Sequence, residues 1–222
     1  MSRICLFKGD FGPRSLSRLD NLGGGGRTGR TMDGRQIEAE AAIRVLLQSM
    51  GENPDREGLK KTPHRVVKAF KEMTSGYQDD PRSILSTTFS DRCDEMIVVR
   101  DMEFWSLCEH HLLPFQGHCT VGYLPKDRIV GLSKIGRLVH CFARRLQVQE
   151  RMTEQIAQAM MEHLDPLGVG VIVRAKHTCM SMRGVKTPGL MMTSCLLGQF
   201  KDPSTRGEFL ALGHKAYGGS DA

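Results

Sequence analysis

The sequence predicts an α+β protein with a largely antiparallel sheet packed by two helices, plus an N-terminal helical hairpin. The main observation is the order of the periodic segments: two helical, two extended, two helical and two extended, without an alternating βα pattern. The composition agrees, because 40% hydrophobic and 25% charged residues are ordinary globular values. At 222 residues, the chain has room for one medium domain with a tail or for two small ones.

Residues 1–35 predict a disordered, basic and glycine-rich extension. Four consecutive glycines lie at 23–26 among Arg, Ser and Asp, and such a composition buries too little apolar surface to fold. Residues 1–36 hold seven Lys or Arg and three Asp, so most of the net charge of +6 lies there. A solvated tail is the more frequent role of such a segment. The rest of the chain has no basic stripe with interleaved aromatics, so we predict no nucleic-acid partner.

A helical pair is predicted over residues 36–75. Apolar residues recur at helical spacing from about 36 to 50, and Gly51 is expected to end this helix. Thr62–Pro63 is expected to open the second helix, with Thr as N-cap and Pro at the first helical position. Arg65 falls in the first turn, where a cation opposes the helix dipole, and this favours a task beyond stabilising its own helix.

The main domain is predicted over residues 76–212, with 213–222 as a flexible tail. β-Branched and apolar runs bounded by turn residues predict strands at 96–104, 117–124, 168–175 and 190–198. Helical periodicity predicts two central helices, the first with Ser133 as N-cap and the second over about 148–164, and a short helix at 203–212.

The strongest chemical signal is Cys108-Glu109-His110-His111, followed 66 residues later by His177-Thr178-Cys179. Cys108 and His111 are three apart, so one turn of backbone brings them to the same side. A strand would place His177 and Cys179 on one face. Two thiolates and one imidazole form a three-ligand zinc site open to water, which is the catalytic arrangement. His110 and His177 would then stand where general acids and bases act.

Two other interpretations of these residues remain open on spacing alone. Free Cys is commonly buried as a small hydrophobe, and a lone His is often a core or surface residue. A closed structural zinc would take a fourth ligand, either His110 or His177. The remaining cysteines have no regular spacing and are predicted to be reduced packing or surface residues: Cys5, Cys93, Cys119, Cys141 and Cys195.

No apolar run approaches the length of a membrane span, and the N-terminus lacks the apolar region of a secretory signal. We therefore predict a cytoplasmic protein with no membrane partner. The Arg and Ser content of the extension resembles that of a transit peptide, but Asp10 and Asp20 count against that interpretation.

Further motifs accompany the two clusters. They read GLSKIGR at 131–137, RRLQVQER at 144–151 and HTCMSMRG at 177–184. Together with Cys108–His111, these motifs resemble GTP cyclohydrolase I in order and spacing. The resemblance covers residues 37–212 and leaves out the extension and the last ten residues.

The resemblance implies a T-fold (tunnelling-fold) enzyme that converts GTP and water to 7,8-dihydroneopterin triphosphate and formate, the first step toward folate or tetrahydrobiopterin. It also implies a homodecamer with active sites between subunits. The matching positions are Cys108, His111 and Cys179 for Zn²⁺, His110, His177 and Ser133 for catalysis, Gln149 and Glu150 for the guanine edge, and Lys134, Arg137, Arg183 and Arg65, with Ser133, around the ribose and triphosphate.

The chemistry agrees with these matches. A histidine that protonates N7 of guanine makes C8 more reactive toward water, and His110 is preferred for this step, with His177 for later proton transfers. The reverse division is equally consistent. Glu150 suits the guanine N1–H and amino group, although a first-turn Glu also suits a helix dipole. Lys134 and Arg137 near a helix N-terminus suit a phosphate site.

Three other functions compete with this interpretation of the motifs. A regulatory protein could keep the fold and the zinc without turnover, although both catalytic histidines are present. A relative acting on another pterin or deazapurine could use Cys108 as a nucleophile without metal. A structural zinc protein would hold four ligands, and Fe(II) or Mn(II) could replace zinc in vivo.

Overall fold

The structure is a computed structural model, and it describes residues 32–91 and 93–214. The chain divides between Pro63 and His64 into two compact units. The extension predicted at residues 1–35 lies outside the described residues up to residue 31, and the tail predicted at 213–222 lies outside them from residue 215.

The first unit contains the helix α1 (Met32–Ser49). It begins four residues before the predicted start, inside the stretch predicted to be disordered, because extending an existing helix costs little when each residue adds a hydrogen bond. Gly51 ends the helix as predicted: it has φ of +84°, and its N–H donates to Gln48 O at 2.9 Å. Leu46 and Met50, from the predicted apolar stripe, are 52% and 62% exposed, so packing of this stripe in a hairpin stays a prediction.

The second unit holds the sheet and its helices. Its helices are α2 (Thr62–Met73, beginning at the end of the first unit), α3 (Pro81–Leu85), α4 (Leu132–Ala143), α5 (Gln149–Leu164), α6 (Thr178–Ser181) and α7 (Pro203–His214). Its strands are β1 (Thr88–Phe89), β2 (Ile97–Cys108), β3 (Pro114–Leu124), β4 (Ile129–Val130), β5 (Leu146–Gln147), β6 (Gly168–His177) and β7 (Leu190–Gly198). Short 3-10 turns lie at Ser75–Gln78 and Gln199–Lys201.

The main sheet has five strands in the order β5-β2-β3-β6-β7. All its pairings are antiparallel except that of the two-residue β5, which runs parallel to β2. The small strands β1 and β4 form a separate antiparallel pair. The prediction of an α+β fold with a largely antiparallel sheet is therefore confirmed.

One face of the sheet packs against α4 and α5. Each helix has an apolar stripe, the residues at helical spacing from which it was predicted. Both stripes are buried in this core, and each of these residues is at most 6% exposed: Ile135, Leu138, Val139, Phe142, Met152, Ile156, Met160 and Leu164. From β6 the same core receives Val169, Val171 and Val173, whose period of two places them on one face.

The opposite face carries a smaller core that the sequence did not indicate. Ile172 points there from β6, and Phe200 and Phe209 cover it, with both phenyl rings 0% exposed. The rings meet edge to face at 5.2 Å between centroids. The sheet positions beneath them are Gly122 and Gly170, and a Cβ on Gly170 would lie 2.5 Å from the Phe200 ring.

The N-cap prediction for Ser133 is wrong. Helix α4 begins two residues earlier than predicted, at Leu132, and the N-cap position is Gly131, with no side-chain cap hydrogen bond. Ser133 is therefore the second residue of the helix, where its exposed side chain is free for another task.

No helix in the described parts of the chain, 32–91 and 93–214, is long and apolar enough to cross a membrane. Every cysteine in these two ranges is a free thiol.

Candidate active site

Three side chains predicted to bind metal come together at one end of the sheet. The ligand atoms of Cys108, His111 and Cys179 all lie within 4.8 Å of one another. Cys108 Sγ is 3.9 Å from the Nδ1 atoms of both His110 and His111. The structure thus joins the two clusters that the sequence separates by 66 residues.

A tight turn between β2 and β3 places Cys108 beside His111. The Cys108 carbonyl accepts from the N–H groups of His111 at 3.3 Å and Leu112 at 2.8 Å, and the Cys108 N–H donates to Leu113 O at 2.9 Å. Strand β2 runs to Cys108, four residues beyond the predicted end, because its pairing with β3 continues to Leu107 opposite Pro114.

Cys179 reaches the cluster from a helical turn. A strand through residue 179 would have placed His177 and Cys179 on one face, but β6 ends at His177, two residues beyond the predicted end, and Cys179 lies in the single turn of α6. The ladder to β3 stops at the pair Phe115 and His177, near the start of β3. The chain then turns, and Thr178 Oγ1 donates to Pro114 O at 2.5 Å.

The donor set fits a zinc ion. Zinc forms bonds of about 2.3 Å to sulfur and about 2.0 Å to nitrogen, so the ligand atoms on a tetrahedral ion lie roughly 3.5 Å apart. The three ligand atoms here lie within 4.8 Å of one another, so a shift of about an ångström brings them to zinc-binding distances. Burial and the neighbouring Cys108 raise the pKa of the Cys179 thiol. A bound cation reverses this effect, because it stabilises both thiolates.

His177 lies next to this cluster in a defined orientation. Its ring stacks on Phe115, with centroids 4.4 Å apart and planes 7° apart. Its Nε2 atom is 2.9 Å from Gln149 Oε1. Burial lowers the pKa of His177, and the negative charge of Glu150 acts in the opposite direction.

Gln149 and Glu150, the predicted guanine contacts, occupy different environments at the start of α5. Gln149 is 1% exposed, and its Nε2 lies 3.1 Å from each of three acceptors, Val173 O, Met191 O and Thr193 Oγ1. Its side-chain amide is thus engaged with the protein at both ends. Glu150 is exposed, and its charge acts on His177.

The remaining predicted contacts lie on three other segments. Ser133 and Arg137 are exposed and Lys134 is half-buried, all in the first half of α4. Arg183 follows α6 and favours ionisation of Cys179 through its charge. Arg65 is exposed in the first turn of α2. Assignment of these side chains to ribose and phosphates stays a prediction.

An ion pair inside the site involves two residues that the sequence did not single out for a role, Glu109 and Arg151. The Arg151 guanidinium pairs with Glu109, which lies between Cys108 and His110. Arg151 Nε donates to Gln147 Oε1 at 3.2 Å, and the Glu109 N–H donates to Gln147 O at 3.0 Å. This network joins the turn after β2 to the start of α5. The available signal was an acidic residue inside the Cys-His cluster.

Comparison with known proteins agrees with this geometry. The family model for GTP cyclohydrolase I matches residues 39–214. Three relatives named GTP cyclohydrolase 1 are similar over most of both chains. The protein from Leptospira biflexa serovar Patoc is 56% identical over 176 residues, 78% of this chain and 96% of the relative. That from Streptomyces griseus is 50% identical over 192 residues, 82% and 96%, and that from Campylobacter lari is 54% identical over 180 residues, 80% and 95%.

Among solved structures, the apo form of an archaeosine synthase QueF-Like protein is similar at 12% identity and a TM-score of 0.38, over 46% of this chain and 95% of that chain. The family match and the curated relatives define the class of protein: this chain belongs to the GTP cyclohydrolase I family of enzymes. The antiparallel sheet with α4 and α5 on one face is the T-fold implied by the sequence motifs.

Proposed function

We propose that the protein is an active GTP cyclohydrolase I, which converts GTP and water to 7,8-dihydroneopterin triphosphate and formate. The observation that carries this proposal is the convergence of Cys108, His111 and Cys179 within 4.8 Å, with His177 held beside them. All positions expected to carry the chemistry are occupied by competent residue types in a chain 50–56% identical to proteins of that name.

Cys108, His111 and Cys179 are the proposed zinc ligands. A zinc ion with three protein ligands keeps one position open to water and activates that water near neutral pH. His110 and His177 lie outside the three-residue cluster found among the described residues, which favours the open site over a closed structural one.

The two histidines are the proposed acid–base groups. His110 is preferred for protonating N7 of guanine, which makes C8 a better electrophile for water. Burial lowers the pKa of His177 and so favours the neutral ring, which can accept a proton during ring opening and ribose rearrangement. Ser133 is the proposed hydroxyl beside the ribose.

Glu150 is the proposed guanine reader. Its carboxylate can accept hydrogen bonds from N1–H and the 2-amino group, a donor pair that adenine does not present. Charge-assisted hydrogen bonds are about twice as strong as neutral ones, so a bidentate contact of this kind discriminates strongly between the two bases.

The triphosphate is proposed to bind near the start of α4 with Lys134, Arg137, Arg183 and Arg65. The N–H groups of a first helical turn have no intrahelical acceptor, and they favour an anion together with the helix dipole. The further proposals are a cytoplasmic homodecamer with sites between subunits and a product that enters folate or tetrahydrobiopterin synthesis.

The test is GTP turnover by the purified chain, followed as formate release and as pterin fluorescence after oxidation. We expect equal amounts of both products from GTP and neither from ATP. His110→Ala should lower turnover by about 100-fold or more. The matched variant His118→Ala changes an exposed histidine of β3 outside the site and should leave turnover unchanged. A protein that binds GTP but releases no formate would refute the proposal.

A further inference from the structure

Gln149 has a buried side-chain amide whose orientation is determined by its surroundings. Its Nε2 faces two backbone carbonyl oxygens, Val173 O and Met191 O, both at 3.1 Å. Carbonyl oxygens only accept hydrogen bonds, so the end of the amide that faces them must be the NH₂ group. In the reversed orientation, Gln149 Oε1 would face these two carbonyl oxygens, and none of the three atoms carries a hydrogen. Gln149 is 1% exposed, so the three acceptors would be buried together without hydrogen bonds between them.

Two threonine hydroxyls complete the same network with one consistent direction. Thr153 Oγ1 donates its single hydrogen to Gln149 O at 2.7 Å. In the 2.7 Å contact between Thr153 and Thr193, Thr193 must therefore be the donor. The Thr193 oxygen remains free to accept from Gln149 Nε2 at 3.1 Å. The amide is thus held by α5, β6 and β7 together.

The oxygen end of the amide determines which ring nitrogen of His177 carries a hydrogen. Gln149 Oε1 is an acceptor only, so the hydrogen in its 2.9 Å contact must reside on His177 Nε2. In the neutral ring the lone pair is then on Nδ1. The stack on Phe115, with planes 7° apart, restricts the ring from turning away.

We propose that Gln149 is a positioning residue, which holds His177 as the Nε2–H tautomer so that Nδ1 is its proton acceptor. This rests on the proposed function, and it replaces a direct contact of the Gln149 side chain with guanine. Two consecutive residues at the start of α5 then have different roles. The buried Gln149 orients His177, and the exposed Glu150 binds the guanine of the substrate.

The tautomer is tested without any turnover. Magic-angle-spinning NMR of sedimented, zinc-loaded protein with ¹⁵N-labelled histidine reports which ring nitrogen carries hydrogen, and the His177→Asn variant assigns the signal. Hydrogen on Nε2 in the unmodified protein is expected. Hydrogen on Nδ1 would overturn the proposal, whether or not the protein turns over GTP.

Kinetics of Gln149→Met then separate positioning from substrate contact. Methionine keeps the approximate volume and removes both hydrogen-bonding ends, so we expect a mixed tautomer, a fall in kcat of about 100-fold and a KM for GTP within about twofold. Gln158→Met makes the same change at an exposed position of α5 and should leave both constants unchanged. A rise in KM with kcat and tautomer preserved would overturn the proposal.

A milder variant covers the case in which Gln149→Met does not fold. Thr193→Val removes one acceptor of the amide and leaves its two carbonyl partners and the contact with His177. It should lower kcat less than Gln149→Met does, and Thr193→Ser should restore it. A Thr193→Val protein with a raised KM and unchanged kcat would contradict the positioning role.

Discussion

At the scale of single residues, Glu109 links the Cys-His turn to helix α5. It follows Cys108 and precedes His110, and its carboxylate pairs with Arg151 in α5. The side chain of Glu109 is 33% exposed and that of Arg151 is 26% exposed. Removing either partner therefore leaves a half-buried charge without its counterion. We infer that this pair stabilises the turn that carries Cys108 and His111, two of the proposed zinc ligands.

A double-mutant cycle tests this role. Glu109→Gln and Arg151→Met should show a coupling free energy of about 1 kcal/mol in denaturant unfolding at equal zinc content, because each single variant leaves one charge unpaired. The exposed pair Lys126 and Asp165, with side chains 50% and 72% exposed, is the matched control, with about 0.5 kcal/mol or less. Equal coupling in the two pairs would contradict the inference.

The proximity of Cys108 and His111 could be predicted from the sequence and the surroundings of Gln149 could not, for a physical reason. Cys108 and His111 are brought together by one local turn, so their spacing alone carries the information. The partners of the Gln149 amide lie 24 to 44 residues away on β6 and β7. Only the register of those strands brings them to the start of α5.

At the scale of elements, the stripes of α4 and α5 were predictable because a helix makes its own hydrogen bonds and its apolar spacing decides its buried face. Strand ends were not, because the ladder with the neighbouring strand decides where a strand stops. Strand β6 reaches His177 because Phe115 pairs with it, and it ends there. The smaller core beneath α7 was not predictable from the sequence, because Gly122 and Gly170 on that face of the sheet interrupt the apolar pattern of their strands.

Two glycine substitutions test this account of the elements. Gly170→Ala should lower the free energy of unfolding by about 1–3 kcal/mol, because its Cβ would lie 2.5 Å from the Phe200 ring and 2.7 Å from the Phe209 ring. Gly136→Ala, in the interior of α4 with nothing within 4 Å of the added Cβ, should instead raise it by up to about 1 kcal/mol. Denaturant unfolding gives both values, and changes of the same sign would contradict the packing described.

At the scale of the whole molecule, the fold class followed from the order of the segments, and the family from several motifs in register. The boundary between compact units at Pro63 and His64 was not predictable, since it falls inside the signal that opens α2. The proposed decamer is expected to sediment with the mass of a decamer of the 24.8 kDa chain.

The buried thiols predict how stability depends on alkaline pH. Burial raises the pKa of Cys119, which is 0% exposed in the sheet core. Its ordinary pKa in the unfolded chain is about 8.5, so its contribution is fully present below that pH and is lost as pH rises toward the folded pKa. The free energy of unfolding should therefore fall by up to about 1.4 kcal/mol per pH unit above pH ~8.5 from this group.

The Cys119→Ala variant isolates that contribution. Its overall stability is expected to be lower near pH 7, but its decline between about pH 8.5 and 10 should be shallower than that of the unmodified protein. Cys93→Ala, which makes the same change at a half-exposed thiol, is the matched control. Parallel slopes for Cys119→Ala and the unmodified protein would contradict the burial of this thiol.

The most direct test of the central claim is GTP turnover measured together with zinc content during chelation and zinc return. We predict that formate release falls in proportion to the zinc removed and returns when Zn²⁺ is added back, because Cys108, His111 and Cys179 are proposed to form an open catalytic site. Turnover that survives complete metal removal would contradict the account and indicate Cys108 as a nucleophile. Zinc retained without any formate release would contradict it by indicating a structural metal.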